Sequence, residues 1–295
     1  MAAPTRAKRR LGQFLLACRT QAAMTLHQAA DELRSSASTV SRYEAGEVMP
    51  VWSTVKTLLD HYMTNNAADQ AEAVRLWDAA RAEPSPARLP MSTPRALRRL
   101  IHAERESAFE QCMEVVVVPG LLQTESYARA INADAERYFS PPTRVDGLVA
   151  SRLNRQRRLA EPDALRLHAV LDEVVIRRTI GGTQTMHEQL AHLVNIAELP
   201  NITVQVVPLT VGVYGTMSGA CTIVGDLPPR GPTGVYLEYP TGGAWVDKKE
   251  DVNRLTAMFD SVSSLALSPS DTTNLIREQM TVLEHRDEYQ DHQVA

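Results

Sequence analysis

Cysteine is scarce. The three residues, Cys18, Cys112 and Cys221, lie far apart in a chain of 295. Their odd number and spacing offer neither a disulfide framework nor a metal-ligand pair, so ordinary buried thiols in a reduced compartment are expected. Long apolar runs are also missing, and none approaches the roughly 20 residues of a membrane span. The opening M-A-A-P-T-R-A-K-R-R-L carries charge and then an amphipathic pattern, not the apolar core of a secretory signal. A cytoplasmic protein without a membrane partner is the expectation. No repeat or low-complexity tract appears.

A catalytic constellation is missing as well. Asp172 and Glu173 are adjacent carboxylates, which a strand would turn to opposite faces, so they read as a strand end or a helix cap. Cys221 reads as a structural thiol. His187 and His192, spaced i, i+5, share no helix face that could hold a metal. Gly181-Gly182 is a turn before a helix, without a phosphate-loop pattern around it. The expectation is a protein that is not an enzyme and needs no cofactor or metal.

What is present starts between Thr25 and Gly46, where T-L-H-Q-A-A-D-E-L-R-S-S-A-S-T-V-S-R-Y-E-A-G encodes two short helices and a break. Thr25 and Gln28 form a capping box, and Ala29, Ala30 and Leu33 give an apolar face small enough for close helix crossing. Ser36 caps the second helix, Val40 and Tyr43 face inward, and Gly46 ends it in a left-handed conformation. A capped helix with small polar residues and an arginine on its outer face suits a major groove. A helix over about 7–19 precedes the pair, with Leu11, Phe14, Leu15 and Cys18 on one side, and helices over about 53–61 and 68–82 follow. Residues 1–60 hold eight Lys/Arg and five Asp/Glu, a net of +3 in a chain whose formal charge is −4. Arg6, Lys8, Arg9 and Arg10 cluster ahead of the pair, either as a phosphate-contacting arm or as a solvated tail.

Residues 83–93 are rich in proline and read as a linker between a helix-turn-helix domain over 1–82 and a larger domain over 94–295. The latter mixes periodicities. Helices are expected over about 94–106, 124–131, 143–159, 184–198 and 248–265, with another from Ser268-Pro269. Strands are expected over 112–118, 165–171, 202–207, 220–224 and 234–239. The fold class is therefore an all-α domain of five helices followed by an α+β domain.

The segment S-x-S-T-V-S-R-Y-E-A-G, with Pro50 and V-x-x-L-L-D-x-Y at 55–62, resembles the Xre (phage-repressor-like) class of helix-turn-helix domains. The chain departs from that class in having Leu26 where a phosphate-clamping Gln is usual, and Arg34 where the turn usually carries Gly. A second series runs through V-P-G-L-L-Q-T-E-S-Y-A-R-A (118–130), R-L-N-R-Q-R-R-L (152–159) and L-D-E-V-V-I-R-R-T-I-G-G (171–182). It continues with P-N-I-T-V-Q-V-V-P (200–208), V-Y-L-E (235–238) and A-L-S-P (266–269). This resembles actinobacterial Xre-type regulators with a shared antitoxin-like C-terminal domain, many of them encoded beside a small partner protein. Cys221 replaces an aromatic of that group, and Arg88-Leu89-Pro90 stands where it has a tryptophan-rich segment.

These resemblances imply a dimeric, sequence-specific transcriptional regulator that binds an inverted-repeat operator in double-stranded DNA. Matched to the class's outward positions, Ala37, Ser38, Ser41 and Arg42 are the expected base contacts, and Arg9, Arg10, Arg34, Thr39 and Lys56 the backbone contacts. The alternative is an antitoxin-like protein that sequesters a small partner and autoregulates its operon. In the second domain, Arg152, Arg155 and Arg158 form an i, i+3 stripe that is either solvated, paired with acidic neighbours, or a face for a small acidic partner. Tyr214, Tyr236, Glu238 and Trp245 could wall a pocket for a small-molecule effector; core packing or a dimer interface explains them equally well.

Overall fold

In the computed structural model, the helical periodicity of the first eighty residues becomes five helices. They are α1 (Arg6–Gln21), α2 (Leu26–Glu32), α3 (Ala37–Glu44), α4 (Trp52–His61) and α5 (Ala67–Ala82). The described residues are 6–62, 66–82, 93–139, 145–160, 164–215, 219–228, 230–240 and 242–294, leaving aside the side chains of 6, 134–139 and 286–294. The chain divides into two units, Met1–Pro86 and Ala87–Ala295. Apart from Thr93, the expected linker lies outside the described residues.

The core of the first unit is assembled from Leu11, Leu15 and Cys18 of α1, Ala29 and Ala30 of α2, Val40 of α3 and Val55, Leu58 and Leu59 of α4. Ala73, Leu76 and Ala80 close it from α5. The three N-terminal helices end alike. At each, the residue two past the helix bonds back in a Schellman turn: Ala23 N–H to Thr20 O and Met24 N–H to Arg19 O, Arg34 to Asp31 and Ser35 to Ala30, Gly46 to Tyr43 and Glu47 to Arg42. The pivots are left-handed, with φ of 53° at Ala23, 48° at Arg34 and 71° at Gly46.

The second unit is built on a six-stranded mixed sheet in the order β3-β2-β1-β4-β5-β6. β1 (Phe109–Glu114), β2 (Arg166–Asp172) and β3 (Ile202–Val207) run parallel. Between them lie α7 (Glu125–Phe139), α8 (Val145–Gln156), α9 (Glu173–Arg177) and α10 (Thr183–Ile196). β4 (Cys221–Gly225), β5 (Pro232–Tyr239) and β6 (Gly242–Val246) continue from β1 as antiparallel neighbours. α6 (Arg95–Glu106) precedes the sheet, and α11 (Lys249–Leu265) and α12 (Pro269–Val294) follow it.

Period-two alternation splits the sheet's residues into two cores. Leu167, Ala169, Leu171, Ile202, Val204 and Val206 face Met186, Leu190 and Leu193 of α10 and Ile276 and Leu283 of α12. Met113, Val170, Val207, Ile223 and Val235 face Val252, Phe259 and Val262 of α11.

Two strand expectations are corrected. β1 lies at Phe109–Glu114 rather than 112–118, because the ladder to β2 ends at the Glu114–Leu171 pair. Beyond it the chain bends, and the Val118 N–H bonds to the Tyr127 hydroxyl at 3.1 Å instead of to a strand. β6, the segment G-G-A-W-V, was not anticipated.

Candidate nucleic-acid interface

α3 is short, and its position is fixed at both ends. At its start, Ser36 Oγ accepts the Thr39 N–H at 3.2 Å, an N-cap. At its end, Gly46 is there for lack of space as much as for its φ: a Cβ would sit 2.7 Å from the Arg9 Cα and N. Gly12 plays the matching part on α1, where a Cβ would meet the Glu44 carbonyl oxygen at 2.4 Å. The two glycines let the backbones of α1 and α3 touch. Glu44 and Arg19 lock the crossing through two bonds, Nε to Oε1 at 2.6 Å and Nη2 to Oε2 at 2.9 Å, and Arg19 also donates to the Met24 carbonyl at 2.6 Å. Both side chains are nearly buried, so the pair is charge-assisted and bidentate in a low-dielectric setting. Gly12, Arg19 and Glu44 escaped the sequence reading. The signal for the ion pair, one arginine and one glutamate 25 positions apart, is invisible without the fold.

Ser38 and Ser41 are exposed on the outer face of α3. Arg42 shares that face but is half-buried and lies back along its own helix, with Nε 3.3 Å from the Ser38 carbonyl and Nη2 3.4 Å from Thr39 Oγ1. Ala37 is half-buried and packs on the core, so it presents less surface than expected. Of the backbone candidates, Arg34 and Lys56 are exposed, and Arg9, Arg10 and Thr39 are half-buried. Arg9 sits against Gly46 at the end of α3, and Thr39 is held in its first turn by Ser36.

In the second unit the structure bears on the readings left open for two groups of residues. Arg152, Arg155 and Arg158 are not an outward stripe. Arg155 makes two bonds to Glu104 of α6, one of them at 2.7 Å, and the two side chains are 13% and 3% exposed. Arg152 donates to the Gln123 side chain, and Arg158, itself buried, donates to the Ser107 carbonyl at 3.2 Å. Arg152 and Arg155 lie on the side of the sheet to which β1 turns the buried Glu110 and Glu114, and the nearby acidic groups favour their charge while burial opposes it. Burial pushes the Glu114 carboxyl up to about 8, with the charge of Glu238 adding to it and Arg152 opposing. Burial, then the charge of Glu104, raises Glu110 well above the usual carboxylate range. Glu110 Oε2 is buried without a hydrogen-bond partner among the described residues.

The aromatic residues are the other group. Tyr214 packs into the α11-side core and donates to Asp172, which also caps α9 through the Val174 N–H at 2.8 Å. Tyr236 and Trp245 pair across β5 and β6 on the opposite face, against Leu100 of α6. Trp245 lies over Gly234, with the Arg99 guanidinium 4.9 Å from its ring centre. The sheet therefore separates Tyr214 from Tyr236, Trp245 and the exposed Glu238, and the three aromatics pack into the cores on its two faces.

Burial also raises the thiols, Cys18 to about 11 and Cys221 to about 12, which makes them poor nucleophiles. No helix among the described residues is long and apolar enough to cross a membrane.

Compared with known families, residues 10–73 match a helix-turn-helix domain, which supports a DNA-binding regulator. No curated protein and no solved structure matches the chain. Residues 97–278 match a domain of unknown function, DUF5753, and because that match takes in more than half of the sequence, the chain belongs to this family.

Proposed function

We propose that the protein is a dimeric, sequence-specific transcriptional regulator in which α3 reads base edges in the major groove. In this reading residues 1–82 bind DNA, 83–93 link, and 94–295 dimerise and sense a partner or ligand. The observation that carries it is the outer face of α3, with Ser38 and Ser41 exposed beside Arg42 on a helix immobilised by the Arg19–Glu44 pair. Arg42 is held back by two long hydrogen bonds, 3.3 and 3.4 Å, so little opposes its swing onto a guanine. Ala37 can offer a methyl contact to thymine. Arg9, Arg10, Arg34, Thr39 and Lys56 supply the phosphate contacts that set register.

Selection of bound fragments from random duplex DNA by the purified full chain tests the proposal. An enriched inverted repeat is expected. Arg42→Ala costs roughly 1–3 kcal/mol and relaxes one base position. Equal weakening on all sequences would assign Arg42 to a phosphate. Enrichment that required a co-purifying small protein would favour the antitoxin-like alternative.

A further inference from the structure

The sheet face that α11 covers is apolar toward the C-terminal ends of the parallel strands, where Met113, Val170 and Val207 meet Phe259 and Val262. Toward their N-terminal ends the same face changes character. Gln111, His168 and Thr203 stand in register across β1, β2 and β3, with Phe109 and Arg166 paired one step back. These five line a groove of about 440 Å³. Asn201 forms part of its wall, with its amide committed to the Leu159 and Leu165 carbonyls at 3.1 and 2.9 Å.

His168 is held in one chemical state. Gln205 Nε2 donates to the Leu267 carbonyl at 2.8 Å, so the amide oxygen is the end that faces His168 Nε2, at 2.7 Å. Ser263 Oγ donates to that same oxygen at 3.1 Å. An oxygen only accepts, so the imidazole proton must be on Nε2. Nδ1 is left as a bare acceptor, with no partner among the described residues. The edge of the His168 ring against Phe259, 5.1 Å between centres, fixes its plane. Burial holds its pKa below the ordinary value, which keeps the ring neutral. A sheet end that merely faced water would need polar residues. It would not need a half-buried histidine whose tautomer is set by a glutamine and a serine behind it.

We propose that this groove binds a small planar acid that carries a hydrogen-bond donor opposite its carboxylate. Arg166, exposed at the rim, takes the carboxylate, Phe109 takes the ring face, and His168 Nδ1 accepts from the donor. Arg166 and His168 are two residues apart on one strand, so both side chains rise from the same face, about 6.6 Å apart at the backbone. The groove deepens the sensing half of the function proposed above and rests on it for its regulatory meaning, though its occupancy is measured without DNA.

The test is a titration of the full chain with 4-hydroxybenzoate, followed by calorimetry and by the ring-nitrogen resonances of ¹⁵N-labelled histidine. Saturable binding with a Kd at or below about 1 mM is expected, together with a shift of His168 Nδ1. Benzoate, which lacks the donor, and Arg166→Gln, which removes the surface cation without touching the core, should each bind roughly tenfold more weakly. Arg254→Gln, at an exposed position on α11, should bind as the parent does. Failure to saturate, or equal affinity for benzoate and in Arg166→Gln, would overturn the groove. DNA affinity is then read with and without the acid. A ligand that binds as described yet leaves DNA affinity unchanged sustains the groove and refutes the sensing role.

Discussion

The three Schellman turns of the N-terminal unit share one geometry and differ in the residue at its pivot, so they predict opposite responses to glycine exchange. A non-glycine residue in the left-handed region costs roughly 1–2 kcal/mol. Glycine escapes that cost but gives back about 0.4–1 kcal/mol through the greater freedom of its unfolded chain. Arg34, exposed at φ 48°, should therefore gain about 0.5–1 kcal/mol on Arg34→Gly. Ala23→Gly should do much the same. Gly46→Ala reverses the sign and adds a clash: its Cβ would lie 2.7 Å from the Arg9 backbone and 2.8 Å from the Lys8 carbonyl carbon. Backbone cannot rotate out of the way as a side chain can, so α1 would have to lift from α3. Overpacking of that kind costs about 1–3 kcal/mol, for a total near 2–4 with the backbone strain. Hydrogen exchange of α1–α3 amides in the full chain reads these effects locally. DNA affinity separates the two roles of Arg34. If it contacts a phosphate, Arg34→Gly protects the amides better while binding DNA more weakly. Lower protection in Arg34→Gly, or unchanged protection in Gly46→Ala, would refute the argument.

The buried charges of the C-terminal unit give further predictions. Folded Glu114 keeps its proton to about pH 8, whereas its unfolded value is near 4.5, so between these limits the folded state binds more protons. Stability should fall as pH rises from about 4.5 to about 8, and Glu114→Gln should flatten that slope in thermal melts, the remainder belonging to Glu110, which is raised in the same sense. Arg155→Met leaves Glu104 buried without its partner and should cost about 3–5 kcal/mol in chemical denaturation at neutral pH. Adding Glu104→Gln to Arg155→Met should restore most of that loss, since the penalty lies in the abandoned charge. Ser36→Ala removes the cap of α3 and should cost about 1 kcal/mol, seen as faster exchange at the Thr39 amide.

The helix pair was legible because its determinants are local. Thr25 and Gln28 do form the capping box, with the Thr25 N–H 2.8 Å from Gln28 Oε1, and Ser36, Ala29, Ala30 and Gly46 do what their spacing implied. β3 was legible at 202–207 for the same reason, since its alternation is apolar on one face. β1 was not. Its α8-side positions are Glu110, Cys112 and Glu114, which break the apolar alternation expected of a buried strand, so the periodicity placed its start late, at 112. Arg152 and Arg155 lie on α8, about forty residues downstream, and without their partners in view an i, i+3 spacing fits a solvated, an ion-paired or a docking face alike. Both ambiguities have one source, and no short window of sequence contains both sides of it. The choice between pocket and core for the aromatics turns on the sheet, which separates Tyr214 from Tyr236 and Trp245.

That charge cluster also explains why the central strand tolerates so much polarity. Three buried carboxyls, Glu104, Glu110 and Glu114, with the exposed Glu238 at their edge, are set against Arg152 and Arg155, so full ionisation would leave excess negative charge in a place where water screens poorly. Holding protons on Glu110 and Glu114 removes the excess and turns each carboxyl into a donor as well as an acceptor. Arg155 then bridges α8 to α6 through Glu104, and Arg152 ties α8 to the Gln123 turn, giving two directional links where an apolar core would give area alone. Replacing a buried ion pair by apolar residues of the same volume is often neutral or stabilising. What it would lose is orientation, because α6 and α8 would be free to slide against a greasy β1. β1, which lines the groove on its other face, takes its register from the ladders to β2 and β4.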